Sequence, residues 1–183
     1  MPIELGIWRL GDKPGRLGFS ALESEKRLED ALVQDLSVLS PDLMLIGRQI
    51  PTAQGKFIDM LAVDADGDLT VIELKRNRTP REVVAQVLDY ASWAQGLSYE
   101  QLRELYADKN PGKECEAAFA AAFNVASPPE EPNKAHQLLI IAAELDPETE
   151  RIIGYLSDNY GVPINAAFFR YFRDGDHEYL TRS

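Results

Sequence analysis

Two acidic residues occur within two apolar segments that are predicted to be strands, Phe57–Val63 and Leu69–Leu74, and a lysine directly follows the second segment. The acidic residues are Asp59 and Glu73, and the lysine is Lys75. Facing carboxylates repel each other unless a proton or a cation lies between them. A hard cation such as Mg²⁺ takes oxygen ligands, and water that it makes more acidic can attack a phosphodiester. A nearby ammonium could position that water or stabilise negative charge in the transition state. These residue types are therefore those of a metal-dependent phosphodiesterase centre.

The turn between the two segments predicts how they pair. A three-residue loop that ends at Gly67, in the left-handed conformation, would pair Asp64 with Asp68. Residue numbers that sum to 132 then lie opposite each other, which pairs Asp59 with Glu73 at a Cβ separation of about 4.5–5.5 Å. Because side chains alternate along a strand, the lysine two residues after Glu73 shares the face of the carboxylates. The acidic turn itself does not have the spacing of a calcium-binding loop.

A simpler interpretation of these charges is a solvated strand face or a cross-strand ion pair. The flanking residues are apolar on both faces, which is typical of a covered central strand, where a polar residue needs a specific reason. Both interpretations stay open on these residues alone.

Basic residues are concentrated directly after the second strand. Four of them fall within seven positions of a chain whose net charge is -11, namely Lys75, Arg76, Arg78 and Arg81. A solvated loop is the common explanation of such a run, whereas a local reversal of charge favours contact with phosphate. Arg48 and Lys56 could extend the same basic surface.

Composition excludes several other classes of protein. The 183 residues contain 30 acidic and 19 basic side chains, which excludes a generic basic coat for nucleic acid. Cys115 is the only cysteine, which excludes an intramolecular disulfide and a multi-cysteine zinc site. The chain has no signal-peptide pattern and no apolar run long enough to span a membrane. We therefore expect a cytoplasmic protein without a membrane partner, whose natural chain can extend beyond Ser183.

Periodicity and capping residues predict a mixed α/β layout with a central antiparallel hairpin. We expect one domain over residues 1–183, with a core at about 20–95, a helical insert at about 96–133 and a further β-α-β-β segment at about 135–183. The first predicted helix spans Leu22–Leu39 with a capping box at Ser20 and Glu23, and the second starts at Thr79 with Pro80 and Glu82. The other predicted signals are a cap at Ser98 and Gln101, a helix at Glu114–Phe123, a strand at Leu138–Ala143, a helix from Asp146 to Gly161, and strands at Ile3–Arg9, Leu43–Ile50, Ile164–Phe172 and Glu178–Arg182.

The order of motifs resembles the PD-(D/E)xK nuclease superfamily, most closely the catalytic domain of NucS-type endonucleases and related uncharacterised bacterial proteins. The residues that carry the resemblance are Ile58-Asp59, Val71–Arg76 and Gln86–Tyr90. The resemblance implies a restriction-endonuclease-like fold, a mixed β-sheet flanked by helices. It also implies that Asp59 and Glu73 hold Mg²⁺ or Mn²⁺ and that Lys75 assists the attacking water.

The same resemblance adds further site residues. Glu29 on the preceding helix would complete the metal site, through water or directly, and Glu25 is the less favoured candidate for that role. The backbone carbonyl of Leu74 would be a further ligand. Gln86 and Tyr90 match a RecB-like motif and would act on the substrate side, together with the basic residues Arg76, Arg78 and Arg81.

The resemblance therefore implies a metal-dependent endonuclease that acts on DNA. The alternative is a non-catalytic module on the same fold that binds nucleic acid or a protein partner. Ile58 departs from the nominal proline of the motif, and the N-terminal dimerisation and DNA-binding domain of NucS-type enzymes has no counterpart in these residues. Substrate structure and oligomeric state, including a homodimer, therefore stay open.

Overall fold

The structure is a computed structural model that describes residues 6–20, 24–79 and 81–183, without the side chains of Asn77 and Arg78. Its helices are α1 (Glu25–Gln34), α2 (Glu82–Ala94), α3 (Tyr99–Lys109), α4 (Cys115–Phe123) and α5 (Pro147–Tyr160). Its strands are β1 (Trp8–Arg9), β2 (Gly15–Arg16), β3 (Phe19–Ser20), β4 (Met44–Pro51), β5 (Phe57–Val63), β6 (Leu69–Thr79), β7 (His136–Leu145), β8 (Ile164–Asp174) and β9 (His177–Arg182). Among the helices described, none is long and apolar enough to cross a membrane.

The predicted mixed sheet with a central antiparallel hairpin is confirmed. Seven strands form one sheet in the order β3-β8-β7-β6-β5-β4, with β9 also paired to β8. The pairs β4–β5 and β5–β6 are antiparallel, whereas the pairs β6–β7 and β7–β8 are parallel. The C-terminal strands thus belong to the same sheet as the hairpin, and β1 and β2 form a separate two-stranded hairpin.

Two apolar cores cover the two faces of the sheet. One contains side chains of α2, α3, α4 and α5 packed on residues such as Leu61, Val71 and Ile140. The other contains side chains of α1 packed on residues such as Met60, Ile72 and Ile141. The central strands are therefore apolar on both faces because helices cover both.

The first helix is shorter than predicted, and its cap is a different serine. The hydroxyl of Ser24 accepts a hydrogen bond from the Arg27 backbone N–H at 3.1 Å, so α1 begins one residue later. The predicted cap at Ser20 lies in β3, and Glu23 lies outside the described residues. The helix ends at Gln34 because Asp35 adopts an extended backbone and its carboxylate caps a short 3₁₀ turn, Leu36–Val38. The apolar pattern of the sequence continues past Gln34 because Leu36, which lies in this turn, is also buried.

The predicted start of the second helix at Thr79 is wrong. β6 continues beside β7 as far as the pair Thr79–Leu145, so Thr79 is the last residue of a strand. α2 begins at Glu82, and its N-cap residue, Arg81, makes no side-chain capping bond. Pro80 lies outside the described residues. Pairing with β7 extends the strand beyond the point where the local sequence favoured a helix.

Three other terminal signals are confirmed. Ser98 and Gln101 form the predicted reciprocal capping box at the start of α3. The Asp146 side chain accepts a hydrogen bond from the Thr149 backbone at the start of α5. Gly161 ends α5 with a left-handed φ of 63°. Local chemistry is sufficient where no neighbouring strand competes for the same backbone.

Candidate active site

The hairpin formed by β5 and β6 has the predicted register. Its backbone pairs run from Val63–Leu69 to Met60–Ile72, and each pair of numbers sums to 132. The turn closes as expected, with Gly67 at a φ of 80° and its N–H donating to the Asp64 carbonyl at 3.1 Å. The Asp64 side chain accepts hydrogen bonds from the backbones of Asp66 and Asp68 and so belongs to the turn.

Asp59 lies where the backbone ladder of this hairpin stops. One of its carboxylate oxygens, Oδ2, accepts a hydrogen bond from the backbone N–H of Leu74 at 2.8 Å. The Asp59 side chain therefore accepts a hydrogen bond that a backbone carbonyl of β5 would otherwise accept. The backbone pairing of β5 with β6 ends at Met60–Ile72, so the predicted pair of Asp59 with Glu73 is not part of the ladder. This contact places the Asp59 carboxylate beside the segment that carries Glu73 and Lys75.

Glu73 is almost completely enclosed, with 1% of its surface exposed. Its Oε1 atom accepts hydrogen bonds from the Lys75 ammonium and from Gln86 Nε2, the latter at 2.6 Å. The other oxygen, Oε2, is buried and has no hydrogen-bond partner among the described residues. Burial and the neighbouring Asp59 carboxylate raise the pKa of Glu73 to about 7, although Lys75 acts in the opposite direction. The negative charge of ionised Glu73 is thus only partly balanced by the groups around it.

Lys75 lies on the same strand face as Glu73, as the two-residue period predicts. Its side chain keeps 27% of its surface exposed while the ammonium contacts Glu73. Burial opposes the charged form, but the hydrogen bond to Glu73 and the nearby acids raise the pKa of Lys75 above its usual value. We therefore interpret Lys75 as a charged hydrogen-bond donor rather than a base.

Glu29 reaches the same region from α1, on the opposite side of the sheet from α2. Its Oε2 atom accepts a hydrogen bond from Gln49 Nε2 at 3.2 Å, and Arg48 lies 3.7 Å from Oε1. Burial is the main cause that raises the pKa of Glu29, and Asp59 adds to it. The structure therefore brings Glu29 into the neighbourhood of Asp59, whereas Glu25 accepts a hydrogen bond from the Arg76 backbone at 2.9 Å.

Gln49 is a site residue that the sequence did not reveal. Its Nε2 atom donates to Glu29 at 3.2 Å and to Asp59 Oδ1 at 3.3 Å, so one amide bridges the two carboxylates. Its backbone has a φ of 49°, which is uncommon for a residue other than glycine. The only signal in the sequence was a polar pair, Arg48 and Gln49, within an otherwise apolar strand.

Gln86 and Tyr90 share one face of α2, as predicted. Gln86 Nε2 contacts both Glu73 and the Tyr90 hydroxyl, the latter at 3.0 Å. Tyr90 is buried, with 3% of its surface exposed. In this structure Gln86 contacts Glu73 directly and Tyr90 contacts Gln86. A contact of either residue with a substrate stays a prediction.

Apart from Lys75, the basic residues differ in their exposure and in their partners. Arg76 and Arg81 are exposed, and among the described residues Arg81 pairs with Glu82 at a long 3.8 Å. The Arg78 side chain lies outside the described residues. Arg48 is paired with Asp30, and Lys56 is paired with Asp89 at 2.9 Å. Arg76 in β6 and Arg81 at the start of α2 are thus two exposed arginines that are candidates for phosphate contact.

The donor set is suited to a magnesium-like ion that retains water. In the part of the chain that the structure describes, no three Asp, Glu, His or Cys side chains converge closely enough to enclose an ion by themselves. Mg²⁺ commonly binds through one or two carboxylates, with waters and substrate phosphates as the other ligands. The buried and unpartnered Oε2 of Glu73, beside Asp59, is an oxygen that such an ion would satisfy. The residues present therefore fit the ion that the sequence motif implies.

Comparisons with known proteins gave one match in sequence and several in structure. No protein-family model matches the chain. A repair endonuclease from Pyrococcus abyssi has a solved structure with a TM-score of 0.46 and 19% identity, covering 81% of this chain and 49% of that one. The structure of an EndoMS–dsDNA complex gives a TM-score of 0.46 and 18% identity, covering 88% of this chain and 64% of that one.

A curated protein gives the sequence match. The endonuclease NucS of Thermococcus kodakarensis is 32% identical over 89 residues, which cover 49% of this chain and 32% of that protein. The chain thus spans about a third of the length of this relative. Over about half of its own length, the chain is similar to an archaeal NucS endonuclease.

Proposed function

We propose that this protein is a metal-dependent endonuclease of the PD-(D/E)xK type that hydrolyses phosphodiester bonds in DNA. The observation that carries the proposal is the carboxyl pair of Asp59 and Glu73, with one buried oxygen of Glu73 unpartnered and an ammonium at its side. A buried polar atom without a partner is costly, so an ion bound at this oxygen would remove a cost that the pair with Lys75 leaves in place. The similarity to a NucS endonuclease supports the same function.

Each group in the site would have a separate role. Asp59, Glu73 and the Leu74 carbonyl would hold Mg²⁺ or Mn²⁺, and Glu29 would complete the site through water. The bound ion would stabilise negative charge on the phosphate and make water more acidic. The Lys75 ammonium would donate a hydrogen bond to the attacking water or to the phosphate, because its raised pKa keeps it protonated at neutral pH. Gln86 would hold Glu73 in place through Oε1.

DNA would be held by positive charge next to these groups. Arg76 and Arg81 are exposed in a chain whose net charge is -11, so the acidic surface elsewhere would oppose loose binding. Contact with phosphate would then concentrate at the start of α2, where the orientation of the helix dipole also favours an anion. This arrangement favours a bound DNA whose backbone passes over Lys75.

The test is a cleavage assay on single-stranded, duplex and branched DNA with Mg²⁺, with Mn²⁺ or with EDTA. We expect cleavage of at least one DNA in the presence of either metal and none in EDTA. Cleavage that continues in EDTA would contradict the metal-dependent mechanism. DNA binding without cleavage under every metal condition would instead support the non-catalytic binding module.

A further inference from the structure

The amide of Gln49 occupies a specific place in the site. It donates to Glu29 on one side and to Asp59 on the other, at 3.2 and 3.3 Å. These carboxylates come from different elements, α1 and β5, so no backbone hydrogen-bond ladder sets their separation. The two acids repel each other when both are ionised, because their charges have the same sign. A neutral amide between them satisfies an oxygen of each without adding a charge of its own.

The backbone of β4 is shaped to deliver this amide. Gln49 lies between the paired residues Arg48–Met60 and Ile50–Ile58, and its φ of 49° lies in the left-handed region. That conformation is unfavourable for a side chain with a Cβ, and such residues concentrate where the surrounding structure uses them. The same register brings Gln49 beside Asp59, which is the partner it contacts.

We infer that Gln49 is a positioning residue for the metal site, which holds the Glu29 and Asp59 carboxylates at the spacing that a divalent ion requires. This inference rests on the proposed function. A partner that orients a ligating carboxylate commonly changes metal affinity by about 10- to 100-fold when it is removed. Each carboxylate oxygen has two lone pairs, so the contact with the amide leaves oxygen capacity for an ion.

The test compares Gln49→Met with a matched control. Methionine keeps the length of the side chain and removes the amide donor without adding charge. Gln54→Met makes the same exchange at an exposed position in the turn before β5. Isothermal titration of Mn²⁺ without DNA and the Mn²⁺ concentration for half-maximal cleavage are both measured. Thermal unfolding in EDTA shows that each variant is folded.

We expect Gln49→Met to bind Mn²⁺ about 10- to 100-fold more weakly and to need correspondingly more Mn²⁺ for cleavage. We expect its cleavage rate at saturating metal to be reduced less, and Gln54→Met to match the wild type in both measurements. If folded Gln49→Met matches the wild type in both, the positioning role is wrong while the proposed function stands. If the wild type neither binds Mn²⁺ nor cleaves DNA, the proposed function itself fails, and the positioning role fails with it.

Discussion

Glu73 combines features that seldom occur together in a residue that serves only stability. It is 1% exposed, it contacts an ammonium and an amide through one oxygen, and its second oxygen has no partner among the described residues. A buried charge with incomplete partners destabilises the folded state, and so does a buried oxygen that accepts no hydrogen bond. The folded chain therefore carries a local cost at the centre of the site, which an ion would relieve.

The pKa of Glu73 predicts how stability depends on pH in metal-free buffer. Its ordinary value of 4.5 is raised to about 7 in the folded chain, so the folded state binds more protons than the unfolded state between these values. The free energy of unfolding should therefore fall as pH rises through this window, by up to about 3 kcal/mol. Glu73→Gln cannot titrate and should lose that part of the dependence. Urea unfolding in EDTA from pH 4.5 to 8 measures the difference, and parallel profiles for the two proteins would show that the raised pKa is wrong.

Lys75 and Arg81 should separate catalysis from binding. Lys75 contacts Glu73, so Lys75→Ala should lower the cleavage rate by about 100-fold or more while DNA affinity changes little. Arg81 is exposed at the start of α2, so Arg81→Ala should weaken DNA binding and lower the salt slope by about one unit if it contacts one phosphate. Cleavage rates and dissociation constants across a salt series measure both effects. Wild-type cleavage by Lys75→Ala would contradict the role assigned to the lysine.

At the scale of elements, the tight turn of the β5–β6 hairpin brings the carboxyl groups of Asp59 and Glu73 together. Gly67 has a φ of 80°, and a Cβ at this position would lie 2.6 Å from Pro129 Cγ and 3.0 Å from Pro132 Cβ. The Gly67 carbonyl also accepts a hydrogen bond from the Asn133 N–H at 2.8 Å. The turn is thus fixed both by its own geometry and by the loop that packs against it.

Two glycine substitutions distinguish these causes. Gly55 also has a positive φ, of 75°, but a Cβ there would meet nothing within 4 Å. Gly55→Ala should therefore cost about 1–2 kcal/mol from backbone strain alone. Gly67→Ala should cost about 1–3 kcal/mol more because of crowding by the prolines. Urea unfolding of both variants measures the difference, and equal losses would indicate that the loop does not confine the turn.

The elements also show which parts of the site could be predicted from the sequence. The register of the hairpin followed from Gly67, because a tight turn determines the pairing of the strands that it joins. The start of α2 did not follow from Thr79, because pairing with β7 extends β6 to that residue. Gln49 was missed because its role depends on an unusual backbone angle and on two partners from separate elements, neither of which has a local pattern.

At the scale of the whole molecule, the net charge is negative, whereas the run of residues that follows Glu73 is basic. The chain carries a net charge of -11, yet the basic run that contains the exposed residues Arg76 and Arg81 follows Glu73 directly in the sequence. Composition alone indicated an acidic protein and therefore no general affinity for nucleic acid. The local basic run indicated where contact with DNA could occur, because counterion release depends on the phosphates that are contacted and not on the total charge.

The most direct measurement of the central claim is the single-turnover cleavage rate of duplex DNA in Mn²⁺ for the wild type and for Asp59→Asn. The asparagine is isosteric and keeps an oxygen that can accept the hydrogen bond from Leu74 N–H, so the fold should be retained, and thermal unfolding in EDTA checks this. With like-charge repulsion relieved, the variant should unfold in EDTA at the same temperature as the wild type or higher. We expect the variant to cleave at least about 100-fold more slowly than the wild type. A folded Asp59→Asn variant that cleaves at the wild-type rate would contradict a nuclease centre built on Asp59 and Glu73.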